Sequence, residues 1–590
     1  MNDSKASIVG DPIESSPKQY EVSELRLRSV FWALAVFVAA FLTWSARFSI
    51  TVDGMSYLDI ADAYFRRDWG MAINAYWSPL YSWALGLGLW ILKPSTYWQF
   101  PAVQFVNFLI CVLSLWCFDF FWSQQAQFLY ADSSKTAESC QTTLPLWAWF
   151  SLGYTLFIWS IARATIVSAV TPDLLVSAIV FLASGLIVRI RRGHNGFLTF
   201  LLLGLVLGVG YLCKSAMFVI GFVFLGVAFL AVGDVRKSVV RTCAALLVFL
   251  IVAAPFVIAI SRSKHRFTIG DTAKINLAWG VNQSAPFFNW QGGDPRAGTP
   301  KHSTRKLLSV PAVYEFAYPI GGTYPPHYDP SYWNEGLTPY FSLKQQLRAL
   351  VTSTYAFYSD FVVPQSGLLT GVLIALFMST NISAALRRLS KNWHLWFLAV
   401  ATIGMYSLVT LEHRYVGPFV ILLWAAALSA IQLPTSQFSK RLLTCVAIFG
   451  IFTLMLSTAE YFGSRIYEWR QRSTNGNWQI ADGLLRMGIR QGQKVVSLGT
   501  AYNAYWARLG QLKIVAEIPS SDVLTFWGGG RELQSMVIEV SRNTGAAAIV
   551  ASEVPGGAQL PGWRPIGQTG FYVFLLPPAG LSNSQSSDSH

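Results

Sequence analysis

The sequence predicts an α-helical polytopic membrane protein of about 11–13 transmembrane helices, with a long extracytoplasmic loop and a small C-terminal α/β extracytoplasmic domain. Composition is the first reason: 53% of the 590 residues are hydrophobic and only 13% are charged, against roughly a quarter charged in soluble domains. The second reason is that apolar runs suited to crossing a bilayer recur along most of the chain. Two long polar regions, 262–365 and the residues after 461, interrupt or follow them.

Twelve apolar runs are candidate spans: 29–46, 79–93, 102–122, 145–162, 171–188, 197–212, 215–232, 239–261, 366–386, 394–411, 415–431 and 442–460. Basic clusters such as RIRR (189–192), DVRK (234–237) and RRLSK (387–391) lie between them, and such clusters face the cytoplasm. The net charge of +14 is therefore explained by the orientation of the protein in the membrane, and we do not expect nucleic acid as a partner. The alternation places the N-terminus inside and the C-terminus outside, which requires an odd number of crossings. The run 79–93, shorter than the roughly 20 residues of a span, is the suspect.

These patterns divide the chain into six segments. We expect a disordered cytoplasmic tail at 1–28, a transmembrane module at 29–261, an extracytoplasmic loop domain at 262–365, further transmembrane helices at 366–460, an extracytoplasmic α/β domain at 461–580 and a disordered tail at 581–590. In the α/β domain, NWQIADGLLRMGI and RELQSMVIEVSRN have helical periodicity, whereas KVVSLG, KIVAEI, AAAIVAS and FYVFLL are typical of strands.

Cofactor motifs give no positive prediction. The sequence has no phosphate-binding GxxxxGK[ST], no GxGxxG after a strand, no HExxH and no CxxC. Histidines and acids of the 262–365 region could bind a divalent metal, but their spacing matches no metal motif. These residues are His265, His302, His327, Asp294, Asp329 and Glu335. We therefore expect no required cofactor.

The stretch TVDGMSYLDIADAYF, residues 51–65, places three carboxylates at a membrane surface, directly after the first apolar run. If the stretch is helical, Asp53 and Tyr57 share one face, and Asp59 and Asp62 share another. Asp53 therefore need not act with the other two. The alternative is that all three are solvated acids on a juxtamembrane helix, with Asp53 close to its N-terminal cap.

Asp53, followed by Tyr57, Ala61 and WSPLYSWALGLGL (77–89), resembles the polytopic glycosyltransferases of the GT-C class. Within that class the chain is similar to the bacterial branch of protein O-mannosyltransferases, lipid A aminoarabinose transferases and core-sugar transferases of rhizobial lipopolysaccharide. The resemblance covers about 29–260, with weaker echoes at 366–431. It implies that Asp53 is the catalytic base and Tyr57 part of the substrate site. Many relatives carry a second acid where this chain has Gly54, which puts a two-carboxylate mechanism in doubt.

Three further motifs carry the resemblance. RATIVSAVTPDLL supplies Arg163 and Asp173, GYLCKSAMF supplies Lys214, and LEHRYVGPF supplies His413, Arg414 and Tyr415. The resemblance implies that these residues bind the substrate, with Arg163, Lys214 and Arg414 as candidates for holding a phosphate. Simpler readings stay open: a helix start at Asp173, a lysine that snorkels to the interface, and an interfacial Arg-Tyr anchor.

The function that the resemblance implies is inverting transfer of a sugar from a polyprenyl-phosphate donor to an envelope lipid, glycan or protein. The expected location is the bacterial inner (cytoplasmic) membrane, among its lipids, with the catalytic face outside the cytoplasm. A flippase for lipid-linked sugars and a non-catalytic membrane scaffold are the alternatives. A transporter would place ionisable groups near the midplane, whereas the candidate residues here gather at the outer ends of the predicted spans.

Overall fold

The computed structural model describes residues 17–133, 141–284, 290–316, 318–378, 382–471, 474–552, 554–556 and 560–577. The predicted tails lie outside these ranges, except that the first helix already begins at Pro17. The first half of the chain is helical: α1 Pro17–Ser45, α2 Val52–Phe65, α3 Trp69–Ala72, α4 Pro79–Leu92, α5 Gln99–Ser133, α6 Leu146–Trp159, α7 Asp173–Arg191, α8 Phe197–Cys213, α9 Met217–Ala231 and α10 Val235–Ser263.

Among the described residues, the second half of the chain has three short loop helices, six helices of the membrane part and four of the C-terminal domain. They are α11 Thr272–Gly280, α12 Pro325–Tyr328, α13 Pro330–Trp333, α14 Leu343–Phe357, α15 Ser366–Phe377, α16 Ile382–Lys391, α17 Trp393–Ser407, α18 His413–Ser429, α19 Gln437–Gln471, α20 Gly476–Arg486, α21 Tyr505–Leu509, α22 Ser520–Gly528 and α23 Gly530–Asn543. One π-helical turn, Ser160–Ala164, continues α6, and another, Tyr358–Val362, continues α14.

The strands form two sheets. They are β1 Gln141–Thr143, β2 Arg305–Ser309, β3 Ala312–Glu315, β4 Gln432–Pro434, β5 Lys494–Leu498, β6 Lys513–Ile518, β7 Ala548–Ala551, β8 Arg564–Pro565 and β9 Tyr572–Leu575. β1 pairs with β4, and the larger sheet has the order β2-β3-β6-β5-β7-β9-β8. The predicted helices and strands of the C-terminal region are confirmed as α20, α23, β5, β6, β7 and β9.

The class of polytopic helical membrane protein is confirmed by the helices themselves. Among the described residues, five helices are long and apolar enough to cross a bilayer, and α14 with α15, bent by 85°, makes a sixth if the pair is one span. Shorter apolar helices, α4, α8 and α9, accompany them. Their exposed faces carry large apolar side chains such as Leu198, Leu202 and Phe222, which suits a lipid environment.

The two ends of helix α4 contact two polar regions of the chain. Before it, the indole of Trp77 donates to the carbonyl of His327 in the 262–365 region. After it, the carbonyl of Tyr97 accepts a hydrogen bond from Asn475, and the Tyr97 ring packs edge-on against Trp478 of α20. Both ends of α4 therefore contact regions that lie outside the apolar runs. That α4 does not cross the bilayer, which would leave the odd number of crossings that the predicted orientation requires, stays a prediction.

The larger sheet joins two regions that are far apart in sequence. β2 and β3 come from the 262–365 region, and β3 pairs antiparallel with β6, with Tyr314 opposite Glu517. β5 pairs in parallel with both β6 and β7. The 262–365 region therefore supplies the edge of the sheet that the C-terminal region builds. Whether the two regions are separate domains, as the predicted boundaries have it, stays a prediction.

Candidate active site

The start of α2 fixes the position of Asp53. Thr51 has extended backbone geometry, and its Oγ1 accepts from the backbone N–H of Gly54 at 3.1 Å, which caps the helix. The same hydroxyl donates to the carbonyl of Val170 at 2.8 Å, so the helix start is tied to the segment that precedes α7. Asp53 lies in the first turn, where a negative charge is favourable to the helix dipole.

Asp53 is paired with Arg414. The guanidinium Nη1 donates to Asp53 Oδ2 at 2.8 Å, and the imidazole Nε2 of His327 lies 3.7 Å from Asp53 Oδ1. Burial alone raises the pKa of Asp53, but Arg414 and then His327 lower it, and the net pKa lies below that of an ordinary aspartate. Asp53 is therefore a carboxylate at neutral pH, and Arg414 neutralises much of its charge.

Arg414 also faces a second carboxylate, Asp173, which is only 2% exposed. The Arg414 Nε lies 3.7 Å from Asp173 Oδ2, and Lys214 Nζ lies 2.5 Å from Asp173 Oδ1. The Lys214 ammonium also sits 3.4 Å from the centre of the Tyr415 ring, a cation–π contact. An arginine in the first turn of α18 opposes the helix dipole, so the two carboxylates compensate for its position. We call Asp53, Asp173, Lys214, Arg414 and Tyr415 the charged cluster.

Tyr57 forms an apolar wall beside this cluster. It lies one turn after Asp53 on the same face of α2, is buried, and packs edge-on against Trp77 and Tyr81 at centroid distances of 5.0 and 5.1 Å. Burial, and next the charges of Asp53 and Asp173, raise the pKa of Tyr57 well above its usual value. The phenol therefore stays neutral. Its role in the substrate site stays a prediction.

The structure places His413 and Arg163 outside the charged cluster. The His413 ring contacts the carbonyl of Ala164 at 2.6 Å and so fixes the start of α18 against the π-helical turn after α6. Arg163 donates to the carbonyl and hydroxyl oxygens of Ser457 at 2.8 and 3.0 Å, and lies 3.8 Å from Glu460. Its contacts are thus with α19 and not with Asp53. The phosphate-binding role predicted for Arg163 has no supporting contact in this arrangement and stays a prediction.

His327 is the site residue that the sequence does not reveal. It lies in α12, inside the 262–365 region, and its Nδ1 is 2.8 Å from the hydroxyl of Ser56, three residues after Asp53. Burial lowers the pKa of His327 to about 4, although Asp53 opposes this shift, so the ring is neutral at pH 7. The ring of Tyr502, from the C-terminal domain, packs edge-on against it at 5.3 Å. Residues from three distant regions therefore meet at Asp53.

Asp59 and Asp62 bind residues of the 262–365 region and of the C-terminal domain. Asp59, 7% exposed, accepts hydrogen bonds from the backbone N–H and hydroxyl of Thr323 at 2.7 and 3.0 Å. Arg508 of α21, 3% exposed, lies 2.7 Å from Asp62 and 3.5 Å from Asp59. The alternative that all three acids of the motif are solvated is therefore wrong for Asp59. Together Asp59 and Asp62 dock the C-terminal domain onto α2.

Gly54 leaves no room for a second acid beside Asp53. A Cβ added to Gly54 would lie 2.7 Å from Cβ and Cγ1 of Val170 and 3.1 Å from its carbonyl oxygen. Backbone in this region cannot easily move, because Thr51 holds that same carbonyl. A second acid beside Asp53, which the resemblance would have led us to expect, is therefore sterically excluded at position 54.

The histidines and acids of the 262–365 region that were candidates for a metal site do not come together as a set of metal ligands. Among the described residues, no three His, Cys, Asp or Glu side chains lie close enough together to hold a metal ion. His302 instead contacts Glu335 at 3.0 Å and stacks on Tyr332. A cavity of about 310 Å³ opens beside His302 and Glu335 and continues to Asp329, two residues after His327.

Comparison with known proteins gives structural likeness only. No model of a protein family matches the chain, and no curated protein matches its sequence. The chain is similar in structure to ArnT from Cupriavidus metallidurans bound to undecaprenyl phosphate, with a TM-score of 0.49 and 11% identity over 97% of this chain and 100% of that one. It is also similar to the Archaeoglobus fulgidus oligosaccharyltransferase in complex with Zn and sulfate, with a TM-score of 0.45 and 12% identity over 88% of this chain and 68% of that one.

Proposed function

We propose that this protein is an inverting glycosyltransferase that moves a sugar from a polyprenyl-phosphate donor to an envelope acceptor on the outer face of the bacterial inner membrane. The observation that carries the proposal is the charged cluster: Arg414 lies between Asp53 and Asp173, and Lys214 covers the other side of Asp173. Two cations and a buried carboxylate then lie together beside the end of a membrane span. This is the set of groups that transfer from a lipid phosphate requires.

Arg414 and Lys214 suit the phosphate of the donor. A guanidinium offers two parallel N–H donors to a phosphate, and an ammonium adds a point charge. In the structure both cations are engaged by carboxylates, at 2.8 Å for Arg414 and 2.5 Å for Lys214. A bound phosphate would compete for these donors and draw Arg414 away from Asp53. Donor binding thereby frees the Asp53 carboxylate to accept a proton.

The transfer itself is a single displacement. The acceptor hydroxyl or amine attacks the anomeric carbon, the bond from that carbon to the phosphate oxygen breaks, and the acceptor's proton passes to Asp53. The electron pair of the broken bond stays on the polyprenyl phosphate, whose charge Arg414 and Lys214 neutralise. One displacement inverts the anomeric configuration, and no covalent sugar–enzyme intermediate forms. Nucleotide sugars are confined to the cytoplasm, so the outer location requires a lipid-linked donor.

The two alternatives explain less of the arrangement. A flippase needs polar groups along its path through the membrane, whereas the charged cluster lies at helix ends, next to His327 of the 262–365 region, which in turn contacts Tyr502 of the C-terminal domain. A non-catalytic scaffold gives no reason to bury Asp173 beside two cations. Replacing such a buried charged group by apolar residues of similar volume is often neutral or stabilising, so its presence favours a chemical role.

The test uses the purified full-length protein in liposomes. It is given radiolabelled polyprenyl-phosphate sugars and extracted envelope acceptors, with sugar-free polyprenyl phosphate as competitor. We expect label to pass to an acceptor with inverted anomeric configuration, and the sugar-free lipid to inhibit as a product. No transfer from any donor, combined with labelled lipid crossing the bilayer, would overturn the proposal in favour of the flippase.

A further inference from the structure

The C-terminal sheet contains a topological switch point. β5 lies between β6 and β7 and is parallel to both. After β5 the chain leaves towards β6 through α21, whereas after β7 it leaves in the opposite direction towards β8 and β9. Loops that diverge in this way open a crevice at the carboxyl ends of the strands, and ligands of open α/β sheets bind in such crevices.

A cavity of about 230 Å³ lies at this crevice. Ser497 and Val550, which are register partners on β5 and β7, form its floor. Its other lining residues follow these strands or precede β9: Thr500, Asn503, Trp506, Ser552 and Phe571. The volume is below the roughly 300 to 1,000 Å³ of pockets for drug-sized ligands, so the cavity suits a single ring.

The chemistry of the lining indicates an uncharged, hydroxyl-rich ligand. None of the described residues that line the cavity carries a charge: they are three hydroxyl side chains, one carboxamide, two aromatic rings and a valine. The Ser497 and Ser552 hydroxyls donate to the carbonyls of Gly499 and Leu498 at 3.3 and 3.4 Å, bonds at the long limit that leave their lone pairs to accept. None of the described lining residues supplies a cation that would neutralise a phosphate or carboxylate. Hydroxyl groups and rings together suit a neutral sugar.

The cavity is linked to the charged cluster by one turn of chain. The 3₁₀ turn Ala501–Asn503 contributes Asn503 to the cavity, and Tyr502 of the same turn packs against His327, which lies 3.7 Å from Asp53. A group bound in the cavity is thus connected to the charged cluster through Asn503 and Tyr502, two neighbouring residues of one turn.

We propose that this cavity is an acceptor subsite that holds one neutral sugar ring of a glycan-bearing acceptor, away from the reacting atoms. The identification of the bound molecule as an acceptor rests on the proposed function, whereas the binding of a sugar by the cavity does not. Binding energy from such a remote ring positions the acceptor and so contributes to the rate of transfer. It also narrows the acceptor class to molecules that carry a neutral sugar near the group that receives the new one.

The test measures binding of neutral methyl glycosides to the full-length protein in detergent by saturation-transfer NMR. Four proteins are compared: wild type, Ser552→Leu, which fills the cavity, Ser535→Leu, a matched change on the exposed face of α23, and Asp53→Asn. We expect at least one glycoside to bind wild type, Ser535→Leu and Asp53→Asn with the same affinity. Its affinity for Ser552→Leu should be at least about tenfold lower, because the added side chain occupies the space of the ring.

Binding that survives unchanged in Ser552→Leu would overturn the subsite, as would the absence of binding by every glycoside in the panel. Sugar phosphates that bind more tightly than their neutral counterparts would overturn the claim that the ligand is uncharged. Wild type that binds the glycoside but transfers no sugar from any donor would keep the subsite and overturn the transferase, so the two proposals can fail separately. Retained binding in Asp53→Asn shows that the subsite does not depend on the proposed base.

Discussion

Arg414 joins Asp53 to Asp173: its Nη1 lies 2.8 Å from Asp53 Oδ2, and its Nε lies 3.7 Å from Asp173 Oδ2. One guanidinium therefore serves two carboxylates that belong to different helices. The arrangement couples binding to chemistry, because any anion that binds Arg414 changes the environment of Asp53.

Lys214→Ala is expected to raise the KM for the polyprenyl-phosphate donor by about tenfold to a hundredfold, because a charge-assisted contact to the phosphate is lost. Lys214→Arg should keep part of the affinity. The matched control is Lys264→Ala, since Lys264 is also largely buried and lies 3.9 Å from a carboxylate, Asp329, outside the charged cluster. Donor KM in a transfer assay is the measurement. Equal effects of Lys214→Ala and Lys264→Ala would remove Lys214 from the phosphate site.

Gly54→Ala is expected to destabilise the protein by about 1–3 kcal/mol, the usual cost of overpacking, because its methyl group would lie 2.7 Å from Val170. Gly226→Ala in α9 is the control, since a methyl group there meets no atom within 4 Å. Thermal unfolding in one detergent compares the two variants. If Gly54→Ala melts at the temperature of wild type, the steric reason for the missing second acid is wrong.

The C-terminal sheet should become less stable as pH rises from about 4.5 to about 7. Burial raises the pKa of Glu517 to about 7, although hydrogen bonds from Tyr324 and the Ala501 amide lower it. The unfolded carboxyl loses its proton first, so the folded state binds the extra proton in this window and loses stability by at most roughly 3 kcal/mol as the pH rises. Asp59, with a pKa raised to about 6 by burial, acts in the same direction.

Hydrogen exchange of the β5 and β6 amides, corrected for the intrinsic effect of pH, measures this dependence. Glu517→Gln should flatten it between about pH 6 and 7 and leave the contribution of Asp59 at lower pH. Protection that increases with pH in wild type, or a profile that Glu517→Gln leaves unchanged, would contradict the assignment to Glu517.

Both ends of α4 should be accessible from outside the cell. Cysteines placed at Ser78 and Ser95 flank the helix, and a reagent that cannot cross the membrane should label both in intact spheroplasts, although Ser78 is the more buried and should react more slowly. Ser303 and Ser535 should give the same result, because the 262–365 region and the C-terminal domain share one sheet. Labelling of Ser95 only after permeabilisation would make α4 a complete span.

Local sequence signals predicted the elements well, because periodicity and turn residues act over a few positions. The strands KVVSLG and KIVAEI, and the helix at NWQIADGLLR, could be predicted for this reason. Resemblance to a family singled out Asp53, Asp173, Lys214 and Arg414 one by one, and their roles stay predictions. It could not supply the contact between Asp53 and Arg414, which are 361 positions apart.

Long-range packing explains what the sequence could not predict. His327 stands in a proline-rich loop without a motif, and only the contact of its ring with Ser56, 271 positions away, brings it to Asp53. The pairing of β3 with β6 likewise leaves no local pattern. Asp59 and Asp62 looked like surface acids because their partner, Arg508, belongs to a domain that follows more than 440 residues later.

The most direct test of the central claim is sugar transfer by Asp53→Asn. The amide keeps the shape of the side chain but cannot take a proton from the acceptor, so we expect transfer to fall by at least about a hundredfold, the lower range for loss of a general base. Donor binding and melting temperature should stay close to wild type, because Arg414 keeps Asp173 as a partner. The measurement compares transfer of radiolabel from the polyprenyl-phosphate donor to the acceptor by the two purified proteins. Loss of transfer with retained donor binding is the predicted result, and transfer at the wild-type rate by Asp53→Asn would contradict the account.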